Sequence, residues 1–276
     1  WKITMNNIQS PELNTSYHTP YGSVVFNHSV KHSVIRLSGG FDSGVILYLL
    51  AKALSENRSD AVITPITVQR RNVTNERWLE RVHIVPYVKR IIQYVRDQFP
   101  TVTIHDSIVE DANYWWIQDN KNQSTYTESQ SAAIRYVVWN HKRSIKDHWE
   151  LAETRLIEYN GVTRNPPTGC IEDSEERHRD HLHSDAVDGM ATVISNHKLS
   201  WFYGYHPWRN ADKRIVFWVA DEVGVLSDML SITRSCEGDI DNTDNFTKEC
   251  GTCWWCLERN WSHKNFKNIE IIHEPE

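Results

Sequence analysis

The stretch that decides the fold runs from Val34 to Gly44 and reads Val-Ile-Arg-Leu-Ser-Gly-Gly-Phe-Asp-Ser-Gly. Its first four residues are typical of a short buried strand, and a helical pattern with an apolar face begins at Asp42. Glycines between the two elements let the backbone approach an anion closely, because no Cβ atoms stand in the way. The N-terminus of the helix adds N–H groups and a favourable dipole. The stretch therefore predicts a strand–loop–helix unit that binds phosphate.

The loop residues have different expected roles. Ser38 and Ser43 offer hydroxyl groups, whereas Asp42 would repel a phosphate and is better suited to cap the helix or to help hold Mg²⁺. The loop is not a Walker loop, because no Lys-Ser/Thr follows the glycines at the required spacing. The alternative is an ordinary strand-to-helix turn in which serine and aspartate only cap. The residues expected to contact the nucleotide are Leu37, Ser38, Gly39, Gly40, Phe41, Asp42, Ser43 and Gly44.

Outward from this unit, strand patterns alternate with helix patterns. Such alternation predicts an α/β fold with a parallel sheet and helices on both faces. Residues 1–32 are polar and rich in turn residues, so we expect an irregular lead-in before an α/β domain of residues 33–232 and a C-terminal segment of residues 233–276. Strands are predicted at residues 34–37, 61–68, 102–109 and 156–162, and helices at residues 42–55, 77–99, 128–141, 146–155, 186–199 and 211–222.

Four of the five cysteines of the chain fall within the C-terminal segment. Thiolates on such short spacers can close a tetrahedron around Zn²⁺ with no open position, the arrangement of a structural site. A redox pair, an iron–sulfur cluster and four unrelated buried cysteines are the alternatives. Zinc is the favoured interpretation, with the ligands Cys236, Cys250, Cys253 and Cys256.

Composition excludes several classes of protein. The chain has 276 residues, with 30 basic and 36 acidic side chains and a net charge of -6, which excludes a broadly basic nucleic-acid coat. No apolar stretch approaches the length of a transmembrane helix. Residues 1–10 lack a basic segment followed by an apolar run, so we expect no signal peptide and a cytoplasmic location.

The string Ser38-Gly-Gly-Phe-Asp-Ser43 resembles the SGGxDS signature of the PP-loop ATP pyrophosphatases. The resemblance implies a Rossmann-like fold of the adenine nucleotide alpha hydrolase type. It also implies that the loop binds the phosphates of ATP, which is split to AMP and pyrophosphate as a carboxyl or carbonyl oxygen is adenylated.

A second resemblance joins this loop to the cysteines. Thr233-Arg-Ser-Cys236, followed by Cys-x2-Cys-x2-Cys at residues 250–256, is similar to the zinc segment of the QueC-type 7-cyano-7-deazaguanine (preQ0) synthases. That family implies an ATP-dependent ligase that converts 7-carboxy-7-deazaguanine and ammonia to the nitrile, using ATP and Mg²⁺ as co-substrates and structural Zn²⁺. Its implied catalytic residues are Asp42, Ser43 and Lys213.

Partners implied by the resemblance are the small deazapurine substrate, ATP and ammonia, without membrane or direct nucleic-acid binding. Whether the chain forms a homodimer stays open. The family's deazapurine-recognition loop, close to Ser-Gly-Tyr-Pro-Asp-Cys-Arg, is absent, and residues 159–167 occupy its place. Two other functions remain: a PP-loop enzyme of tRNA thiolation, and a degenerate PP-loop domain kept as a binding or conjugation module.

Overall fold

The structure is a computed structural model, and it describes residues 14–20, 22–27, 32–57, 60–69, 71–74, 77–80, 83–111, 156–167, 169–171, 192–195, 202–208, 211–238 and 241–268. The strands in these ranges are β1 (Asn14–Thr19), β2 (Gly22–Asn27), β3 (His32–Arg36), β4 (Val62–Gln69), β5 (Arg71–Thr74), β6 (Arg77–Glu80), β7 (Thr103–Ile104), β8 (Ile108–Asp111), β9 (Leu156–Tyr159), β10 (Thr192–Ser195) and β11 (Phe202–His206). The helices are α1 (Phe41–Asn57), α2 (Ile84–Gln98), α3 (Arg214–Glu222), α4 (Leu226–Ile232) and α5 (Trp254–Asn265).

A mostly parallel sheet organises the described residues. Its strand order is β10-β11-β9-β3-β4-β7, with β8 also pairing with β4. Among the strands that the structure describes in this sheet, only β10 runs antiparallel to its neighbour, β11. Because β3 lies between β9 and β4, the loop that follows β3 emerges near the middle of the sheet. Crevices at the carboxyl ends of parallel strands are the usual place for a ligand in such folds.

Helix α1 is the centre of the hydrophobic core. It is apolar on nearly all sides, and a helix of that kind is stable only when surrounded by protein. In agreement, Val45, Ile46 and Leu49 are fully buried. The helix contacts α2, α3 and α4, while α5 contacts α3, so the described helices pack against one another. Within the described residues, no helix has the length and apolar character needed to cross a bilayer.

The α/β fold with a parallel sheet and helices is confirmed, and several predicted elements need correction. The lead-in contains the antiparallel hairpin β1–β2, because alternation puts Val24 and Phe26 on one face, where both are fully buried in the core. The predicted helix at residues 77–99 begins only at Ile84, since residues 77–80 form β6 and pair with β5.

Two further predicted elements differ. The strand predicted at residues 102–109 is divided into β7 and β8, which pair with successive parts of β4. Within the helix predicted at residues 186–199, Thr192–Ser195 forms β10 instead, as its β-branched residues favour. The helices predicted at residues 128–141 and 146–155 lie outside the described residues. The boundaries proposed for three segments of the chain stay a prediction.

Candidate functional site

The turn between β3 and α1 contains a position that requires glycine. β3 ends at Arg36 and α1 begins at Phe41, and between them Gly39 has a φ of 79°. This is the left-handed region, which side chains other than hydrogen disfavour. A Cβ atom on Gly39 would also lie 3.2 Å from the carbonyl oxygen of Ile84. The start of α2 therefore contacts the loop directly, and a side chain at this position would push the two apart.

Serine hydroxyls hold three backbone N–H groups of the loop. Ser38 Oγ accepts a hydrogen bond from Gly40, Ser43 Oγ accepts one from Ser38, and Ser235 Oγ accepts one from Phe41, each at 3.3 Å. Bonds of this type are usually about 2.7–3.2 Å long, so these three are weak. An anionic oxygen could take over the N–H groups while the hydroxyls rotate to donate to it. The loop is therefore suited to binding an anion.

Asp42, Lys213 and Glu258 form a chain of charges beside the loop. Lys213 Nζ lies 3.2 Å from Asp42 Oδ2 and 2.7 Å from Glu258 Oε2. The side chains of Lys213 and Glu258 are 2% and 0% exposed, and that of Asp42 is 20% exposed. Asp42 is in the first turn of α1, Lys213 precedes α3 and Glu258 lies on α5. Three distant parts of the chain thus converge on one buried ammonium group.

The segment after β9 approaches the same end of α1. A Cβ atom on Gly161 would lie 3.1 Å from the backbone nitrogen of Ser43 and 3.3 Å from Asp42 Cβ. The N–H of Asn160 donates a 2.9 Å hydrogen bond to the carbonyl of Tyr205, which fixes the turn on the neighbouring strand. Residues 159–167, which stand where the resemblance places a substrate loop, therefore begin next to the proposed nucleotide loop.

The residues before Cys236 connect the loop to the cysteines. The N–H of Arg234 donates a 2.8 Å hydrogen bond to the carbonyl of Gly39. The buried guanidinium of Arg234 donates to the carbonyl oxygens of Phe246, at 2.6 Å, and of Lys248. One arginine thus fastens the glycine loop to the chain that leads into Cys250.

Four cysteine sulfurs lie together at the start of α5. The Sγ atoms of Cys236, Cys250, Cys253 and Cys256 are all within 4.8 Å of one another, and the Cys236–Cys250 and Cys250–Cys256 distances are 3.6 and 3.9 Å. A Zn–S bond of about 2.3 Å places two tetrahedral ligand sulfurs about 3.8 Å apart. A cluster of four irons needs wider spacing, because each thiolate then binds a different iron. The sulfur positions fit one tetrahedral ion.

Backbone groups also point at these sulfurs. Cys236 Sγ accepts N–H bonds from Gly238, at 3.4 Å, and from Cys250, at 3.2 Å. Cys253 Sγ accepts one from Glu237 at 3.4 Å. Such donors stabilise thiolates, which are the metal-binding form of cysteine.

Three of the thiols, those of Cys236, Cys253 and Cys256, have pKa values shifted in opposite directions. Hydrogen bonds from Cys253 and Cys256 hold the pKa of Cys236 far below its ordinary value. Donating to Cys236 raises the pKa of Cys253 to about 11 and, with burial, raises that of Cys256 well above its usual range. Four thiolates at these distances would repel one another strongly, so full ionisation needs a cation at their centre. The donor set therefore fits a metal ion.

The structure brings the predicted site residues together in two adjoining groups. The loop residues 37–44 and Lys213 form the first, and the four cysteines form the second, while the roles assigned to them stay predictions. Sequence reasoning missed Ser235, Gly161 and Glu258 as parts of the site. Ser235 had a signal, since it directly precedes a predicted metal ligand. Gly161 and Glu258 had none, because their importance depends on contacts with residues far away in the chain.

Comparisons with known proteins give only weak structural likenesses. No family model matches the sequence, and no curated protein matches it. The chain is similar to the U34-tRNA thiolase NcsA from Methanococcus maripaludis with its [4Fe-4S] cluster, at 13% identity and a TM-score of 0.40 over 87% of this chain and 73% of that one. It is also similar to phosphoadenylyl-sulfate (PAPS) reductase from Candida auris in a phosphate complex, at 11% identity and a TM-score of 0.29 over 71% of this chain and 73% of that one. Likenesses at this level leave the function to be argued from the site.

Proposed function

We propose that this protein is an enzyme that binds MgATP at residues 37–44 and uses it to adenylate a carboxyl oxygen. The observation that carries the proposal is the pairing of Asp42 with the buried Lys213 at the end of the SGGFDS loop. A loop that only capped a helix would have no use for a buried ammonium group beside it, since burying a charge is costly. If the loop binds an anion, the positive charge of Lys213 would stabilise it.

The charges next to the loop favour a nucleotide that arrives with its metal ion. Asp42 and Glu258 carry two negative charges against the one positive charge of Lys213. We propose that Asp42, the more exposed carboxylate, would help hold Mg²⁺, which neutralises phosphate charge when bound. Lys213 would stabilise the charge that develops as the α-phosphate is attacked. Ser38, Ser43 and Ser235 would donate hydroxyl hydrogen bonds to phosphate oxygens.

The reaction that we propose is the conversion of 7-carboxy-7-deazaguanine to 7-cyano-7-deazaguanine. A carboxylate has no good leaving group, so its oxygen attacks the α-phosphate of ATP and pyrophosphate leaves. Ammonia then displaces AMP and gives the amide. A second ATP adenylates the amide oxygen, and loss of AMP with two protons from the amide nitrogen leaves the nitrile. The protein's part is to position the reactants and to stabilise charge.

We propose that the four cysteines hold Zn²⁺ with a structural role. All four ligand positions would be occupied by the protein, so no position is left for a substrate. The ion would tie the start of α5 to the segment that contacts Gly39. The cytoplasmic location and the small-molecule partners are further parts of the same proposal.

The experiment that tests the proposal is a direct assay of the purified protein. It is incubated with 7-carboxy-7-deazaguanine, ammonium, Mg²⁺ and ATP, and the products are measured by mass spectrometry. AMP together with the nitrile supports the proposal, and AMP without nitrile contradicts the substrate while leaving adenylation standing. Absence of AMP contradicts the enzyme assignment. Metal analysis is done in parallel: iron in place of zinc, together with sulfur transfer to tRNA, would favour the thiolation function instead.

A further inference from the structure

We propose that Glu258 is a positioning residue, which holds the Lys213 side chain in place beside the loop of residues 37–44. The inference deepens the proposed function and rests on it for the role of Lys213. Glu258 belongs to neither sequence motif: it follows the last cysteine by two positions and has no side-chain exposure. Its carboxylate nevertheless makes the shorter of the two contacts of Lys213, 2.7 Å against 3.2 Å for Asp42.

Burial explains why Lys213 needs this partner. An ammonium group that is 2% exposed has lost nearly all its hydration, and carboxylates must replace that water to offset the cost of burying it. Asp42 is the partner that the proposed site needs for Mg²⁺, and its oxygens cannot serve the ion and the lysine equally well. Glu258 is the partner that remains. It would keep the ammonium in place when Asp42 turns toward the ion.

A purely structural ion pair is a poor explanation for this arrangement. A buried pair is often no more stabilising than apolar side chains of the same volume, and α3, which begins directly after Lys213, contributes fully buried apolar side chains such as Ile215 and Phe217. A charge pair retained at such a place, within reach of the loop, points to chemistry at Lys213.

The position of Glu258 depends on the cysteines. Cys253 is the residue that caps α5, and Cys256 and Glu258 lie within the first turns of this helix. An ion bound by these cysteines would therefore hold α5, and with it Glu258, in place relative to Lys213. The cysteine site would therefore affect the position of Lys213 as well as stability, because any shift of α5 moves Glu258.

The test compares Glu258→Gln and Glu258→Asp with a matched control, Asp221→Asn. Asp221 pairs with Lys267 at 3.2 Å, so the control removes an ion pair between α3 and the end of α5 at an exposed place. Two measurements are made on each folded, metal-loaded variant. The first is kcat and KM for ATP in the AMP assay. The second is acetylation of Lys213 by acetic anhydride, read by mass spectrometry relative to the exposed Lys267 in the same molecule. For the Asp221 variant, in which Lys267 loses its partner, the exposed Lys89 is the reference.

We expect Glu258→Gln to lower kcat about 100-fold with little change in KM for ATP, because a displaced charge weakens transition-state stabilisation more than ground-state binding. Glu258→Asp keeps the charge and should recover about tenfold of the loss. Acetylation of Lys213 should rise about tenfold in Glu258→Gln, because the lysine is then held only by its longer contact with Asp42 and is freer to meet the reagent. Asp221→Asn should resemble the parent protein in both measurements.

Two results overturn the inference. One is a Glu258→Gln variant whose kcat and Lys213 acetylation equal those of the Asp221→Asn control. The other is an equal loss of activity in Glu258→Gln and Glu258→Asp, with a lower melting temperature and no rise in Lys213 acetylation. That combination would mean that Glu258 only stabilises the fold. If the parent protein makes no AMP, the proposed function fails, and the acetylation measurement alone still decides whether Glu258 holds Lys213.

Discussion

The backbone N–H of Arg234 donates a 2.8 Å hydrogen bond to the carbonyl oxygen of Gly39. Next to it, the Ser235 hydroxyl accepts from Phe41, a residue 194 positions away. Cys236 follows immediately, so the same short segment contacts the glycine loop and begins the cysteine cluster. The two sequence motifs are therefore one structural unit, and damage at the cysteines should reach the loop.

The first prediction concerns metal removal. If the cysteines hold a metal ion as proposed, Cys236→Ser should no longer bind it and should bind MgATP at least about tenfold more weakly, because the segment that holds Gly39 and Phe41 loses its anchor. Metal content is measured by elemental analysis and MgATP affinity by calorimetry. Cys170→Ser is the matched control, since Cys170 is exposed and lies outside the cluster. Unchanged MgATP affinity in a metal-free Cys236 variant would show that the two motifs are energetically independent.

The second prediction concerns Asp42. Asp42→Asn removes the charge but keeps the shape, and it should lower the rate of AMP formation about 100-fold by weakening charge stabilisation at the α-phosphate. The rate is measured at saturating MgATP. Asp106→Asn serves as the control, because Asp106 is 93% exposed and pairs with Arg96 away from the loop. Full activity in Asp42→Asn would remove this carboxylate from the proposed chemistry.

Sequence reasoning reached the parts of the site that are continuous in the chain. The strand, glycine loop and helix around Gly39 are local, and each local signal agrees with the fold. The four cysteines are nearly local, and their spacing alone predicts a shared ligand. The parallel sheet followed from the alternation of strands and helices.

The sequence could not reveal relationships that only tertiary packing creates. Glu258 looks like any polar residue on a short helix until the structure places it against Lys213. Gly161 looks like an ordinary turn residue until its backbone meets Ser43. The hairpin β1–β2 was missed because its polar, turn-rich composition outweighed the short alternation at Val24 and Phe26, which becomes decisive only when a core exists to receive it.

The third prediction uses the closeness of Gly161 to α1. Gly161→Ala adds a Cβ atom 3.1 Å from the Ser43 nitrogen, and the start of α1 must shift to accept it. We expect MgATP affinity to fall about tenfold with a small loss of stability. Gly169→Ala gives the opposite pattern: nothing lies within 4 Å of its Cβ, but its φ of 82° is strained for alanine. That control should lose about 1 kcal/mol of stability and keep its MgATP affinity. Equal affinity in the two variants contradicts the prediction.

The fourth prediction concerns the stability of the buried ion pair. Lys213→Met leaves the Glu258 carboxylate buried without its ammonium, which should lower the free energy of unfolding by about 3–5 kcal/mol. Adding Glu258→Leu removes the orphaned charge and should recover most of that loss while the protein stays inactive. Both values come from urea unfolding of the metal-loaded protein. A double variant no more stable than Lys213→Met would mean that the lost packing of the lysine stem, and not the charge, sets the cost.

The last prediction concerns the pH dependence of metal binding. In the metal-free protein the pKa of Cys253 is raised to about 11 and that of Cys256 is raised further, so both thiols hold their protons at neutral pH, whereas Cys236 with its lowered pKa does not. Metal uptake must expel at least these two protons. The apparent affinity for Zn²⁺ should therefore rise at least about hundredfold per pH unit between neutral pH and the pKa of Cys253, and fall as the pH is lowered. The metal is first removed with a chelator. Calorimetric titration of the metal-free protein with Zn²⁺, in two buffers of different ionisation enthalpy, then counts the protons released. A count of zero would show that the thiols are already ionised without a metal, and that the cluster is held by something other than the thiol hydrogen bonds seen here.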